Sequence, residues 1–407
     1  MQDIFIASAA SFMNIAYAAA ISEEEEIINR RPCLLRQRID WDIHAQLLLD
    51  EGQFRIYYRM SSQSFENLLT IVGPALQIDE EMSKLRTGAP PISAVNHLQI
   101  GISWLAGYSD HPTRALAGVS KTSFYTFAWK TLDAIIASNN AYLKIQFPEN
   151  DEEILKMADS FRSLSTNDVI RGCVGCIDGW LCPIDVPSKK EVAKVVSFYS
   201  GHYHDYGVNV QACVDDQCRF TAFASSCPGG MGDSIAFLRW RLSTIVKKIA
   251  ERLLTEHKKA IYIIGDNAYT NSNFLITPFP KPKLTSPYTD SYNFHVSQVR
   301  IRVEMAFGLL VNKWRIFGSP LKIKMSNISR LLHAAFRLHN YCISMRLSED
   351  SDYDVSADED LVGAAVPVQN GNAGEDASPY SMMYVSSDTQ TETPVKSEVV
   401  PYVEQHS

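Results

Sequence analysis

The chain has 407 residues, 46% of them hydrophobic and 21% charged, enough apolar material for packed cores in two or three domains. Its net charge of −8 excludes a nucleic-acid binder only as an average: Glu349–Ser407 carries thirteen acidic residues and one lysine, a net of −12, and subtracting −12 from −8 leaves Met1–Ser348 at +4. Beyond the Ala-rich start no stretch approaches the ~18–20 apolar residues of a membrane span, and eight irregularly spaced cysteines exclude a disulfide framework.

Residues 1–39 read as a helical leader. Ile4–Ile21 is apolar, with Ala18-Ala19-Ala20 resembling a cleavage region. The basic start of a signal peptide is missing, Asp3 stands in its place, and Ser8, Ser11 and Asn14 interrupt the run. Ser22-x-x-Glu25 then has the form of a capping box. Residues 40–147 read as all-α, with Phe65, Leu68, Leu69 and Val72 at helical period. After Pro90-Pro91, Ser93 caps a predicted helix through Trp104, and Gly107 ends it. Thr113–Tyr125 reads as a short helix, a turn at Gly118, Ser120 as N-cap and a second helix to Ile136, a helix-turn-helix pattern. Lys121, Ser123 and Lys130 are its candidate DNA contacts. Phe124, Phe127 and Trp129 fit an ordinary helical hairpin equally well.

From Gly172 the period changes. Gly172–Ile184, Gly207–Val214 and Arg219–Ser225 read as strands, Asp233–Leu254 as one long helix, and Ala260–Gly265 as a buried strand. Thr270–Asn293 is proline-rich and reads as an insertion. Val296–Trp314 is a helix, Leu321–Lys324 a short strand, and Asn327–Leu347 a closing helix. A right-handed crossover would return the Ala260–Gly265 strand parallel to the first. Residues 148–348 thus form a mixed α/β domain, and 349–407 an acidic tail of disordered composition.

Three carboxylates stand out. Asp178 interrupts an apolar strand, where an acid needs a partner. Asp266 ends the apolar run Ala260–Gly265. Glu304 borders the helical stripe Val303, Phe307, Leu310 and Trp314, with Arg300 at i−4 and Gly308 opening that face at i+4. Convergent acids without cationic neighbours call for a divalent metal. An exposed Arg300–Glu304 pair is the bland alternative. Asp233, after Pro228-Gly-Gly-Met-Gly232, reads as a helix N-cap or a fourth acid of the site, Asp215-Asp216 as a hairpin turn, and His202 and His204 as loop residues able to meet phosphate. Cys173-x-x-Cys176 lacks a well-spaced second pair and reads as reduced core thiols rather than a zinc site.

Five blocks in order, Gly-Cys-Ile-Asp178-Gly, Tyr206-Gly-Val-Asn-Val-Gln211, Pro228-Gly-Gly-Met-Gly-Asp233-Ser, Gly265-Asp266-Asn-Ala-Tyr269 and Arg302-Val-Glu304-Met-Ala-Phe-Gly308, closed by Leu338-His-Asn-Tyr-Cys342, resemble the transposase and nuclease domain of the PIF/Harbinger superfamily. The resemblance implies a ribonuclease-H-like DDE nuclease domain preceded by the helix-turn-helix region. It implies Asp178, Asp266 and Glu304 as catalytic triad and metal ligands, Asp233 as a further metal-binding acid, and Mg²⁺ or Mn²⁺ as cofactor. DNA is the implied substrate, contacted through Lys121, Ser123, Lys130, His202, His204 and Arg300. A separate Myb-like DNA-binding partner, self-association and a nuclear location complete the expectation. Trp180 and Gly232 depart from the family pattern without removing a carboxylate. A catalytically silent domesticated DNA- or chromatin-associated protein is the alternative reading, and a metal-dependent phosphohydrolase a third.

Overall fold

The computed structural model describes residues 37–78, 91–280 and 286–349. The leader and the acidic tail lie outside the described residues, apart from the leader's last few positions. Ile39–Ile78 and the described residues from Ile92 onward fall in one compact unit. Its first part is helical: α1 (Trp41–Asp50), α2 (Phe54–Tyr58), α3 (Ser62–Leu76), α4 (Ala94–Leu105), α5 (Asp110–Leu116), α6 (Lys121–Ala137) and, after a gap, α7 (Asp151–Arg162). Asp40, Ser61, Ser93 and Ser120 each accept the backbone N–H three residues on, satisfying a donor that the first helical turn leaves orphaned. Gly107 takes φ +94 just past α4, where Arg315 leaves no space for a Cβ.

The second part is a mixed sheet with helices on both faces. Its strands are β1 (Cys173–Pro183), β2 (Tyr199–Ser200), β3 (Asp205–Val214), β4 (Phe220–Pro228), β5 (Tyr262–Ile264) and β6 (Leu275–Ile276), in the order β2-β3-β1-β5-β6 with β4 also on β3. The β1–β3 and β3–β4 pairings are antiparallel and β1–β5 is parallel, as the crossover argument expects. Between β4 and β5 lie α8 (Asp233–Arg239) and α9 (Arg241–His257); α10 (Pro287–Lys313) and α11 (Met325–Glu349) close the chain.

Several boundaries differ from the sequence reading. The helix expected over Asp233–Leu254 breaks at Trp240, whose extended backbone (φ −82, ψ 131) starts α9 while its buried ring packs on Phe237. The supposed insertion contributes β6, which pairs with β5 in parallel, and α10 starts nine residues earlier than Val296, capped by Ser286 with Pro287 in its first turn. Leu321 makes only an isolated bridge to Ile184. The two-residue β2 and the helix α7, with Ile154, Ala158 and Phe161 on its buried face, are absent from the sequence reading.

Alternation along the strands divides the core. Cys176, Cys182, Val210 and Ala212 face the larger core with α10, α11 and the N-terminal helices; Val174, Ile177 and Cys213 face α9, Phe237 and Tyr269. The Leu338–Cys342 block is structural. Asn340 Oδ1 accepts the N–H of Phe220, its Nδ2 donates to the carbonyls of Phe220 and Lys144, His339 bonds the Cys218 carbonyl, and the Tyr341 hydroxyl donates to the Ser64 carbonyl at 2.6 Å. These bonds tie α11 to β4 and to α3. Since each buried partner left unpaired costs ~1–3 kcal/mol, Asn340→Ala is expected to lose on the order of 3 kcal/mol in urea unfolding. A loss well under 1 kcal/mol would mean that water replaces these bonds.

Candidate active site

The β1–β5 register builds the centre of the site. Cys176 pairs with Ile264, so Asp178 and Asp266, each two residues further on, leave the parallel pair at the same level. β5 ends at Ile264, and the chain turns at Gly265, where a Cβ would lie 2.8 Å from the Tyr269 ring and 3.2 Å from Ile177. Asp178 Oδ1 accepts the Gly179 N–H at 2.8 Å, and Asp266 Oδ1 accepts that of Ala268 at 3.0 Å. Burial pushes the Asp178 carboxyl up to about 7, with the Asp266 charge next in weight and Glu304 adding to it. Burial also raises Asp266, as do the Asp233 and Glu304 charges. The acids therefore feel one another through protein rather than water.

Glu304 comes from α10. Its carboxylate is held by the Arg300 guanidinium one turn earlier, and Arg300 also pulls the Asp178 and Asp266 carboxyls down. The acids thus have one nearby cation, and the Arg300–Glu304 pair that the sequence offered as the bland alternative is formed. Gly308, one turn beyond Glu304, is buried. No three of Asp178, Asp233, Asp266 and Glu304 bring oxygens within 4.8 Å of one another. The described group that does, Asp151, Glu256 and His257, has Asp151 engaged by Arg252 and His257.

Asp233 reaches the cluster from the opposite face of the sheet. The N-cap expected of it falls to Gly232, and no side chain caps α8. Asp233 Oδ1 instead accepts from Asn209 Nδ2 and Gln211 Nε2, both at 2.8 Å. It fits because Gly179 has no side chain: a Cβ there would meet Asp233 Cγ at 2.6 Å and Gln211 Nε2 at 2.7 Å. Two tyrosines border the acids. Tyr269 is buried, and burial and then the charges of Asp178, Asp233 and Asp266 push its phenol up; Tyr203, on the β2–β3 turn, keeps about half its surface exposed, and partial desolvation followed by the same charges raises it too. Asn209, Gln211, Tyr203 and Tyr269 had no role in the sequence reading. Two amides at i and i+2 in an apolar strand were the available signal.

Among the candidate DNA contacts, His202 and His204 are exposed on the same turn as Tyr203, with His204 in the left-handed region (φ +54). Lys121 is exposed at the start of α6. Ser123 donates its N–H to the Ser120 hydroxyl, and Lys130 donates to the carbonyls of Leu76 and Gln77 at 3.3 Å. Phe124 is buried, and Trp129 lies edge-on to Trp104 under the Arg330 guanidinium. Trp180, the departure after Asp-Gly, packs on Phe307 and Phe317. Seven cysteines, including Cys173 and Cys176, are buried free thiols.

Residues 177–340 match the family described as DDE superfamily endonuclease. This part of the chain is thus similar to a DDE superfamily endonuclease domain. It is also similar to "Protein ALP1-like" of Arabidopsis thaliana, 21% identical over 320 residues that cover 77% of this chain and 76% of the relative. No solved structure matches significantly. The matched segment opens one residue before Asp178 and closes on Asn340, so it spans all four acids and the α11 anchor. The motif resemblance is thereby borne out.

Two expectations follow. Asp178 holds its proton in the folded state up to about pH 7, against an ordinary value of 3.8. Stability is therefore lost as pH rises from about 4 through 7, at ~1.4 kcal/mol per pKa unit. In EDTA, Asp178→Asn should melt higher than wild type at pH 8 and equally near pH 3.5; equal melting at both would remove the buried-acid account. Gly179→Ala should cost ~1–3 kcal/mol by overpacking. Combined with Asp233→Ala in a double-mutant cycle, that cost should shrink, whereas additive costs would mean that the two positions do not collide.

Proposed function

We propose that this domain is a metal-dependent DNA nuclease of the transposase type with a ribonuclease-H-like arrangement. Asp178, Asp266 and Glu304 are its catalytic and metal-holding acids, and Asp233 is a further ligand. The observation that carries this reading is the in-register meeting of Asp178 and Asp266 beyond the end of β5, with Asp178 raised to about 7. Half-buried like charges facing one another are a configuration that a bound divalent ion relieves. The donor set is all oxygen, with the cysteines sealed in the core, and so fits Mg²⁺ or Mn²⁺ rather than zinc. Two such ions, when bound, polarise the scissile phosphate and lower the pKa of the attacking oxygen.

The chain's own residues have distinct tasks. Asp178, on β1, and Asp266, just past the end of β5, fix the centre. Glu304 joins them from α10, and Arg300, relieved of the acids, offers a planar fork suited to phosphate. His202, Tyr203 and His204 form an exposed rim on the β2–β3 turn that a DNA backbone would meet. With Lys130 engaged by α3 carbonyls, α6 presents one exposed lysine. That weak basic surface supports dependence on a separate Myb-like DNA-binding partner; action in the nucleus and self-association on paired DNA ends belong to the same proposal and rest on the DNA-cleaving reading alone.

The Arg300–Glu304 pair favours a second reading. An arginine already balancing the acids suits a silent, domesticated DNA-associated protein. Cleavage separates the two. With Mg²⁺ and terminal-repeat DNA, wild type should nick the end, and Asp178→Asn should lose at least ~100-fold in rate while remaining folded. Cleavage unchanged by that variant would remove Asp178 from the chemistry; DNA binding without cleavage or Mn²⁺ uptake by wild type would favour the silent protein.

A further inference from the structure

Asn209 and Gln211 are 7% and 1% exposed in the middle of an apolar strand, where amides are costly unless every polar atom is paired. Each atom is. The Tyr269 hydroxyl donates to Gln211 Oε1 at 2.7 Å, which fixes the orientation of that amide. Gln211 Nε2 then donates to Asn209 Oδ1 and Asp233 Oδ1, both at 2.8 Å. Asn209 Nδ2 donates to the same Asp233 oxygen and to the Met231 carbonyl, again at 2.8 Å. Oδ1 of Asp233 thus takes two amide hydrogen bonds, while Oδ2 takes none among the described residues.

The relay also touches the Asp266 loop. Tyr269 donates its backbone N–H to the Asp266 carbonyl at 3.3 Å, and the neighbouring Thr270 hydroxyl meets that of Ser234 at 3.1 Å. Asp233 and Asp266, 33 positions apart in sequence, are therefore joined through Tyr269 and Gln211 and again through Thr270 and Ser234. A polar group that merely filled space would be replaceable by an apolar one of like volume. Here five hydrogen bonds are arranged so that one carboxylate oxygen takes two amide donors beside the acid cluster.

We infer that Tyr269, Gln211 and Asn209 are positioning residues, which occupy Oδ1 of Asp233, fix its rotamer against Gly179 and leave Oδ2 to bind a divalent cation together with Asp266. This rests on the metal-binding reading above. Outer partners of this kind set ligand orientation, and their loss weakens metal by ~10–100-fold.

Calorimetric titration of the full chain with MnCl₂, paired with thermal melts in EDTA, tests the inference. Gln211→Met should weaken Mn²⁺ about 10–100-fold, and Tyr269→Phe, which deletes one hydroxyl, about 3–10-fold. In an Asp233→Asn background, Gln211→Met should weaken Mn²⁺ no further, a signature that a merely structural residue lacks. If Gln211→Met does not fold, Tyr269→Phe decides. Variants that melt lower in EDTA but bind Mn²⁺ within about twofold of wild type, while Asp178→Asn abolishes binding, would overturn the positioning role alone. A wild-type chain that takes up no Mn²⁺ would overturn this inference and the metal reading together.

Discussion

The crowding of carboxylates where β5 stops short of β1 is the constraint on which the rest of the structure turns. Parallel pairing leaves Asp178 and Asp266 level at the open end of the pair, and burial makes their mutual repulsion expensive. The fold tolerates this because the surrounding parts are stiff. β1 is eleven residues long and paired on both sides, and α10 lies across it with Phe307 against Trp180. Arg300 supplies partial compensation from the same helix that carries Glu304.

The two faces of the sheet contribute differently. On the α10 face, Asp178 and Glu304 share an environment with Arg300, so charge there is balanced by charge. On the α9 face, Asp233 is held by neutral amides. The missing side chain at Gly179 lets the second face approach the first, because there the strand is only backbone thick. Glycine after Asp178 is thus a packing requirement rather than a turn signal, which explains why the apolar strand continues through Trp180 and Leu181.

The helical region is part of the same solid. Tyr341 bonds the Ser64 carbonyl, Lys313 donates to the Arg59 carbonyl, and Arg337 donates to carbonyls at the end of α6. Of the residues that suggested DNA reading on α6, Lys130 is engaged by the Leu76 and Gln77 carbonyls and Ser123 by the Ser120 cap, while Lys121 stays exposed. A helix-turn-helix pattern in sequence specifies two short helices and a turn; it says nothing about which face is covered by later parts of the chain.

The sequence alone determined the features that rest on local chemistry: the Ser93 and Ser120 caps, the change from helical to strand period near Gly172, the apolar stripe of Val303, Phe307, Leu310 and Trp314, and the three motif acids. It also pointed to a parallel return of β5. Tertiary structure decided what depends on contacts between distant residues. The break at Trp240, the capture of β6 by β5, the engagement of Lys130 and the burial of Gly308 all follow from packing. So does the use of Asp233: a capping signal in sequence, it is turned from its own helix toward two amides on β3. Local pattern reports what a residue can do, and the partner it meets is fixed only when the sheet is assembled.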